Sequence, residues 1–383
     1  MDHPRKEKNL RKHRILVAPL DWGLGHATRC IPVIRELLNQ DCEVWMAGEG
    51  SQQNLLQQEF PDLPFLHLDG YRVHYARSAT GLLLSIFQQT NKILQAIRKE
   101  NAWLKKKVKE HDFDAVISDN RYGLYHSSIP CVFITHQLTI KSFFGKWTEK
   151  FLQKINYRYI NRFSACWVPD AAGENNLAGE LSHPLKKPVV PVKYIGHLSG
   201  LSAHSPLADA GKKDHLLIII SGPEPQRSIL ENKIITEISH YNGTATIVRG
   251  LPAVVSIIPS TNMIKFYNHL STEAMNKEMK QAAYVISRCG YSTVMDLIQL
   301  QKKSILIPTP GQTEQQYLAG YLSQKQLACC IPQKEFSLAH ALQKARLFLY
   351  QPPSMDNENT REKIIAELIS SLAPANKQEN TFT

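Results

Sequence analysis

Short apolar runs alternate with longer amphipathic stretches along most of this 383-residue chain. In the first half the runs with strand character are Ile15–Leu20, Cys42–Ala47, Phe65–Leu68, Ala115–Ser118, Cys131–Thr135, Ala165–Val168 and Val192–Ile195. The second half continues with Leu216–Ile220, Ala245–Val248, Ile264–Tyr267, Ala283–Ser287, Ser304–Ile307 and Cys329–Ile331. Such alternation is typical of parallel sheets covered by helices. The pattern predicts an α/β protein with two Rossmann-like domains that face each other across a cleft.

Composition predicts where these domains begin and end. Residues 198–213 are rich in small and turn-forming residues, and we interpret them as a linker between an N-terminal domain, 1–197, and a C-terminal domain, 214–350. A periodic segment within 351–373 predicts a C-terminal helix that packs back on the first domain. The tail, 374–383, is polar, and we expect it to be disordered.

Charge narrows the choice of partners. The formal net charge is +11, and residues 92–162 hold 14 Lys or Arg against 6 Asp or Glu, a surplus of 8. A basic face suits anionic phospholipid, a diphosphate or nucleic acid, but no nucleic-acid motif accompanies it, so nucleic acid is not expected. No apolar run approaches the roughly 18 residues of a membrane span, no secretion signal is apparent, and the seven cysteines lack metal or redox spacing. We expect a cytoplasmic protein that can lie peripherally on the inner face of the membrane.

One part of the basic region mixes aromatic side chains with lysines. Residues 140–152 contain Phe143, Phe144, Trp147 and Phe151 together with three lysines. This composition is found in segments that lie on anionic membranes. The more ordinary alternative is a helix that buries its aromatic rings and exposes its lysines, and the sequence alone favours that alternative.

The first predicted strand runs into the turn Asp21-Trp22-Gly23-Leu24-Gly25-His26. Glycines at a strand-to-helix turn let another molecule approach the main chain and its free N–H groups. Helical apolar spacing follows, so Gly25 and His26 are expected at or just before a helix N-terminus. His26, with an ordinary pKa of about 6.5, is a candidate general base, and Asp21 competes for that role.

Two strand ends in the second half carry groups suited to phosphate. Ser221, Gly222 and Arg227 follow Leu216–Ile220, and their backbone and side chains can meet phosphate oxygens. Arg288 follows the strand Ala283–Ser287 and is a second candidate charge partner for a diphosphate. A structural salt bridge is the alternative role for Arg288, and it is slightly favoured.

The loop after Arg288 is suited to a nucleotide. Gly290 permits a sharp turn, and Ser292 and Thr293 can cap a helix while they donate to phosphate. Asp296 follows about one helical turn later, by the 3.6-residue period, where a carboxylate can accept both hydroxyls of a ribose.

Two further strand ends carry amide and imidazole groups. Gln315 and Gln316 follow Ser304–Ile307, and their amides can both donate and accept, as sugar hydroxyls require. His136 and Gln137 follow Cys131–Thr135 at an edge expected to face the cleft. They can contact an acceptor, although a loop histidine satisfied by the backbone is an equally good interpretation.

Together these motifs resemble a known family. The succession G-x-G-H, S-G-x, S-R-C-G-Y-S-T-V-M-D and P-x-P-G-Q-T-E-Q-Q is similar to the MurG-like family 28 glycosyltransferases of the GT-B fold, and most similar to a prokaryotic branch whose last motif contains G-Q-T-E-Q. The resemblance implies that the C-terminal domain binds a nucleotide sugar and the N-terminal domain binds the acceptor. It also implies inversion at the anomeric carbon without a metal or other cofactor.

The resemblance also implies roles for individual residues. Ser221, Gly222, Ser292, Thr293, Asp296, Gln315 and Gln316 fall on donor-binding positions, with Arg227, Arg288 and Gly290 beside them; Gly23, Gly25, His136 and Gln137 are expected at the acceptor. A nucleotide-diphosphate sugar, with a UDP-sugar as the first choice and N-acetylglucosamine as one candidate sugar, and a lipid-linked or other acceptor are expected. Asp296 stands where glutamate is usual, and Thr313-Glu314 departs from the usual pattern, which leaves the sugar open. The alternatives are a nucleotide-sugar 2-epimerase of the same fold and a non-catalytic basic binding protein.

Overall fold

The computed structural model describes residues 11–71, 79–201, 214–251, 254–256, 258–353 and 358–372, with the backbone alone for 79–90 and Glu358. The predicted linker, 198–213, lies largely outside these residues. The predicted tail, 374–383, lies wholly outside them.

The bounds of the elements follow the chain in two groups. The first group comprises β1 (Arg14–Pro19), α1 (Leu24–Asn39), β2 (Glu43–Gly48), α2 (Gly50–Glu59), β3 (Phe65–His67), α3 (Ala79–His111), β4 (Ala115–Asp119), β5 (Cys131–Ile134), α4 (Lys146–Ile160), β6 (Ala165–Val168), a short 3-10 helix (Gly179–Leu181) and β7 (Val192–Tyr194). The second comprises β8 (His215–Ile219), α5 (Gln226–Ile238), β9 (Thr244–Val248), β10 (Ile264–Tyr267), α6 (Thr272–Gln281), β11 (Tyr284–Arg288), α7 (Tyr291–Gln299), β12 (Ser304–Ile307), α8 (Thr313–Gln324), β13 (Cys329–Cys330), α9 (Leu338–Leu347) and α10 (Glu358–Ser370).

The strands form two parallel sheets. The first has seven strands in the order β3-β2-β1-β4-β5-β6-β7, and the second has six in the order β10-β9-β8-β11-β12-β13. Each predicted strand is found, with its ends within one residue of the predicted ones, so the predicted fold class is confirmed. The strand order reverses between β1 and β4 and between β8 and β11, and ligands of open α/β sheets bind beside such reversals.

The central strands are buried because helices cover both sheet faces. Ile15, Leu16 and Val17 in β1 and every residue of β4 are inaccessible or nearly so. Continuous apolar runs of this kind are what a doubly covered parallel sheet requires. The chain's seven cysteines are free thiols, and all but Cys330 are buried.

The last helix returns to the first domain. Ile364 and Ile365 of α10 are buried, and Gln40 Nε2 at the end of α1 donates to the Glu362 carbonyl at 3.0 Å. Lys193 of β7 also pairs with Glu367 at 2.5 Å. The chain therefore crosses twice between the two sheets.

The expectation that the aromatic residues of 140–152 are buried is wrong. Phe143, Phe144, Trp147 and Phe151 are 51%, 58%, 78% and 56% exposed. The register of α4 explains the error, because this helix uses Asn156, Tyr157 and Ile160 for its buried contacts. We call the exposed set Phe143, Phe144, Trp147, Phe151 and Ile155 the aromatic stripe. None of the helices among the described residues combines the length and the apolar character that a membrane crossing needs.

Candidate functional site

The glycine turn after β1 begins α1 and meets the second domain. Gly23 has φ +80° and precedes the helix, so Gly25 and His26 occupy its first turn, as expected. Ser292 Oγ donates to the Gly25 carbonyl at 3.0 Å. A Cβ on Gly25 would lie 2.8 Å from that hydroxyl oxygen, so close approach of α7 explains the glycine.

A buried ion pair stands beside this turn. Arg29, one helical turn after His26, donates from Nε to Asp119 Oδ2 at 2.6 Å, and its Nη2 donates to Asp119 Oδ1. Asp119 is the last residue of β4, at the strand-order reversal. His26 Nδ1 lies 2.8 Å from Arg29 Nη2 and 3.2 Å from Asp119 Oδ2. The two side chains therefore fix the position of the imidazole.

A second histidine, His136, connects Arg29 of the first domain with Glu314 of the second. Arg29 Nη1 lies 3.3 Å from His136 Nδ1, and His136 Nε2 lies 2.8 Å from Glu314 Oε1 on α8. The His136 ring stacks on Tyr291, with ring centroids 4.2 Å apart and an interplanar angle of 10°. The predicted cleft residue His136 thus contacts side chains, not the backbone. We call His26, Arg29, Asp119, His136 and Glu314 the interdomain cluster.

Burial and neighbouring charges shift the pKa values of the acidic and basic groups in the cluster. Burial alone would raise the pKa of Asp119, but Arg29 and His26 hold it at about 2. Burial and the Arg29 charge lower the pKa of His26 against the opposing pull of Asp119. Burial would also raise the pKa of Glu314, yet His136, His26 and Arg29 lower it overall. The structure therefore favours two carboxylates, one guanidinium and a neutral His26 at pH 7.

Asp21, the competing candidate base, holds a neighbouring loop. Its Oδ1 accepts from the Tyr71 amide at 2.9 Å, and a Cβ on Gly70 would overlap its Oδ2. Asp21 is therefore engaged with residues 70 and 71.

The loop after β8 faces two buried polar atoms that have no partner among the described residues, Arg288 Nε and Thr309 Oγ1. A Cβ on Gly222, where φ is +104°, would lie 3.9 Å from the first and 3.6 Å from the second. Arg288 is 2% exposed, donates to the carbonyls of Gln226 and Ile307, and makes no ion pair in the described part of the chain. The expected salt bridge is therefore wrong. Burial lowers the pKa of Arg288 to about 10, so it remains a cation at pH 7.

Arg227, the other candidate for phosphate, is occupied differently. Its Nε donates to Glu224 at 2.6 Å and its Nη2 to Glu231 at 2.8 Å, while Glu231 also accepts from Arg249. These pairs neutralise its charge inside α5 and its flanking loop. Ser221, which precedes Gly222, is exposed.

The remaining predicted donor residues are only partly brought together. Asp296 Oδ1 accepts from Ser199 Oγ at 2.6 Å, and burial raises the pKa of this carboxyl to about 7. Gly290, not Ser292 or Thr293, precedes α7 as its cap. Gln315 Oε1 accepts from the Thr309 amide at 2.9 Å, Gln316 is exposed, and the Gln137 carbonyl accepts from Asn156.

Three cluster members were absent from the predicted site, namely Arg29, Asp119 and Glu314. For two of them, the sequence position could have indicated a place in the site. Arg29 lies three residues after His26 on the same helix face, and Asp119 ends a predicted strand. Elsewhere, Glu49, His67 and Asp69 have ligand atoms within 4.8 Å of one another, but exposed acidic groups of this kind are common without an ion, and we assign no metal to them.

Comparisons with known proteins agree with this architecture. Residues 259–372 match the model of the Glycosyltransferase family 28 C-terminal domain. An "Uncharacterized glycosyltransferase" of Methanosarcina acetivorans is 23% identical over 345 residues, 82% of this chain and 84% of that protein. The solved glycotransferase of kitacinnamycin has a TM-score of 0.62 at 13% identity over 94% of this chain and 95% of its own.

Two further structures have the same fold. MurG of Acinetobacter baumannii has a TM-score of 0.51 at 16% identity, over 95% of this chain and 96% of its own. The spinosyn rhamnosyltransferase SpnG, complexed with thymidine diphosphate, has a TM-score of 0.56 at 14% identity, over 94% of this chain and 98% of its own. Fold and comparisons define the class of protein, a GT-B glycosyltransferase. The match of residues 259–372 to the family 28 C-terminal domain supports the resemblance drawn from the motifs.

The Arg29–Asp119 pair yields a stability prediction. Asp119 has a pKa of about 2 in the folded protein and about 3.9 in an unfolded chain, so it stabilises the fold above about pH 4, and this contribution is lost as the pH falls through 2. Asp119→Asn should destabilise the protein by about 3–5 kcal/mol at pH 7, because Arg29 stays buried without a counter-charge, and should weaken the dependence of stability on acid.

Urea unfolding of both proteins at several pH values measures this effect. The double variant Arg29→Met/Asp119→Asn is the control, since it removes the unpaired cation and should recover much of the loss. Equal stability of Asp119→Asn and the wild type at pH 7 would contradict the assignment.

Proposed function

We propose that this protein transfers a sugar, with inversion and without a metal, from a nucleoside diphosphate sugar such as a UDP-sugar to a lipid-linked acceptor. N-acetylglucosamine is a candidate sugar. The observation that carries the proposal is the buried Arg288 of the second domain, which has no ion-pair partner among the described residues and lies beside Gly222 and Thr309, whereas His26 belongs to the first domain. A leaving diphosphate needs a positive charge in that place.

Arg288 is suited to bind a diphosphate because its charge has no carboxylate partner among the residues that the structure describes. Burying a guanidinium without a carboxylate is unfavourable unless an anionic ligand compensates for it. The turn at Gly222 exposes main chain to the same space, and the N-terminus of α5 follows. A fixed cation of this kind supplies the charge that a bound metal supplies in other transferases. The diphosphate-bound structure of SpnG shows that the fold accommodates such a ligand.

His26 is the group that we propose takes the acceptor proton. It is neutral at pH 7, because its pKa is lowered. With its own proton on Nδ1 directed to Asp119, its Nε2 has a lone pair for the acceptor hydroxyl. Since a guanidinium only donates, this tautomer requires the Arg29 contact with Nδ1 to lengthen while Arg29 keeps its two bonds to Asp119.

The reaction balances with these groups alone. The acceptor oxygen forms a bond to the anomeric carbon from the face opposite the diphosphate, and its proton passes to His26 Nε2. The bond between the anomeric carbon and the phosphate oxygen breaks, and its electron pair leaves with the diphosphate beside Arg288. Attack from the opposite face inverts the configuration.

The aromatic stripe supports a membrane-borne acceptor. Trp147, Phe151 and Ile155 follow one another at four-residue spacing along α4, and Lys146, Lys150, Lys154 and Arg158 form a parallel exposed row. Apolar rings beside cations suit the interface of an anionic bilayer. Thr313 Oγ1 of the second domain donates to the Lys141 carbonyl at 2.9 Å, so the segment leading into the stripe starts at the cleft.

The first prediction from this proposal concerns donor binding. Arg288→Met should weaken UDP binding by about 10- to 100-fold, the usual value of charge-assisted hydrogen bonds, with a modest change in thermal stability, because it removes two hydrogen bonds to carbonyls together with a buried charge. Arg227→Met is the matched control and should bind UDP as the wild type does, since its charge is neutralised internally. Calorimetric titration decides; equal affinity in Arg288→Met would remove Arg288 from the donor site.

The second prediction concerns the base. His26→Ala should lower turnover by about two to four orders of magnitude, the usual contribution of general acid–base catalysis, with donor affinity little changed. Asp21→Asn, made in parallel, should keep most of its activity. Turnover per folded molecule separates the two residues, and a collapse in Asp21→Asn alone would transfer the role to Asp21.

The third prediction concerns the membrane. Wild-type protein should float with vesicles of anionic lipid at low salt, less so at high salt, and little with neutral vesicles. Trp147→Ser/Phe151→Ser should reduce this binding, whereas Leu347→Ser, which removes an exposed leucine from the second domain, should not. Absence of wild-type binding to both kinds of vesicle would favour a water-soluble acceptor.

A further inference from the structure

Glu314 is a carboxylate that the second domain inserts among charged groups of the first. Its Oε1 lies 2.8 Å from His136 Nε2, and its side chain is 32% exposed at the edge of the interdomain cluster. The rest of the cluster comes from the first domain, with Arg29 and Asp119 almost completely buried. The charge of the cluster therefore depends on whether the two domains are closed.

We infer that Glu314 is a positioning residue that makes His26 a competent base when the domains close, by supplying the negative charge that stabilises the transferred proton. The inference rests on the proposed function and deepens it. In the transfer step the acceptor proton moves to His26 Nε2, and the ring becomes a cation. Arg29 Nη2, which lies 2.8 Å from His26 Nδ1 in the structure, stays close enough to oppose this cation even after the contact lengthens.

Counting charges shows what Glu314 contributes. Without Glu314, Arg29 and Asp119 neutralise each other, and a proton on His26 leaves the cluster with one uncompensated positive charge. With Glu314 present the same proton brings the cluster to neutrality. The groups that contact the histidines are Arg29 of α1, Asp119 of β4, Tyr291 of α7 and Glu314 of α8, and the Cys30 thiol of α1 donates to Asp119. Coulombic effects are strong here because the cluster is largely removed from water.

The connection from Glu314 to His26 is rigid. Tyr291 stacks on the His136 ring and donates its hydroxyl to the Pro169 carbonyl at 2.7 Å, which holds the ring plane. Because Arg29 Nη1 can only donate, His136 Nδ1 accepts from it, and His136 Nε2 donates to Glu314 Oε1. Closing of the donor domain thus reaches Arg29 and His26 through one hydrogen-bonded path.

The test removes the charge and keeps the shape. Glu314→Gln can still accept from His136 Nε2, so it preserves the interdomain contact. Glu180→Gln is the matched control, because Glu180 is 70% exposed and pairs with Lys141 outside the cluster. NMR titration of histidine-labelled full-length protein, assigned with His26→Ala, follows the pKa of His26 without any need for turnover.

We expect a lower pKa for His26 in Glu314→Gln than in the wild type and in Glu180→Gln. In transfer assays, kcat should fall about 10-fold, as a weaker base requires, and the acid limb of the kcat profile should move to lower pH, while the donor KM stays the same. An unchanged His26 titration in Glu314→Gln overturns the inference. A shifted titration in a protein without transfer activity would instead retain the charge coupling and reject the proposed function.

Discussion

The site depends on the buried pair between Arg29 and Asp119. Asp119 is placed by β4 at the reversal of strand order, and Arg29 by the first turns of α1, so the two main elements of the first domain meet in this contact. A buried ion pair often adds little net stability, since desolvation offsets attraction. Here the pair fixes five donors of a planar guanidinium in space, and two histidines take their positions from it.

Each side of the cleft contains a charged side chain that lacks a partner of full opposite charge among the described residues. In the second domain Arg288 is a cation with no carboxylate partner among the described residues. In the interdomain cluster Glu314 is a carboxylate whose hydrogen-bond partner is a histidine and not a permanent cation. In the reaction that we propose, negative charge moves to the diphosphate and a proton to His26, so each of these two groups would lie where the opposite charge develops. The N-termini of α1, α7 and α8 meet between them through Gly25, Ser292 and Glu314, and their dipoles add to the positive potential.

Strand positions could be predicted closely because parallel strands buried on both faces leave continuous apolar runs that helices do not share. The loops of the site could be located for the same reason, since they follow those strands. The contacts within the site could not: His136 and Glu314 are 178 residues apart, and Arg29 and Asp119 are 90 apart. Pairs of opposite charges so far apart in the sequence leave no pattern that a local stretch of residues could reveal. Arg288 and the aromatic stripe were misjudged because composition does not show which face of an element is covered.

Geometry links the aromatic stripe to the chemistry. The backbone carbonyl of Lys141, at the start of the segment that leads to α4, accepts a hydrogen bond from the Thr313 hydroxyl. Glu314 is the next residue of α8. Contact between α4 and a bilayer would therefore place the mouth of the cleft near the headgroup level, where a lipid-linked acceptor presents its polar end. Because Trp147, Phe151 and Ile155 share α4 with a row of exposed cations, such binding would weaken as the salt concentration rises. The same loop would then join membrane contact, domain closure and the charge beside His26.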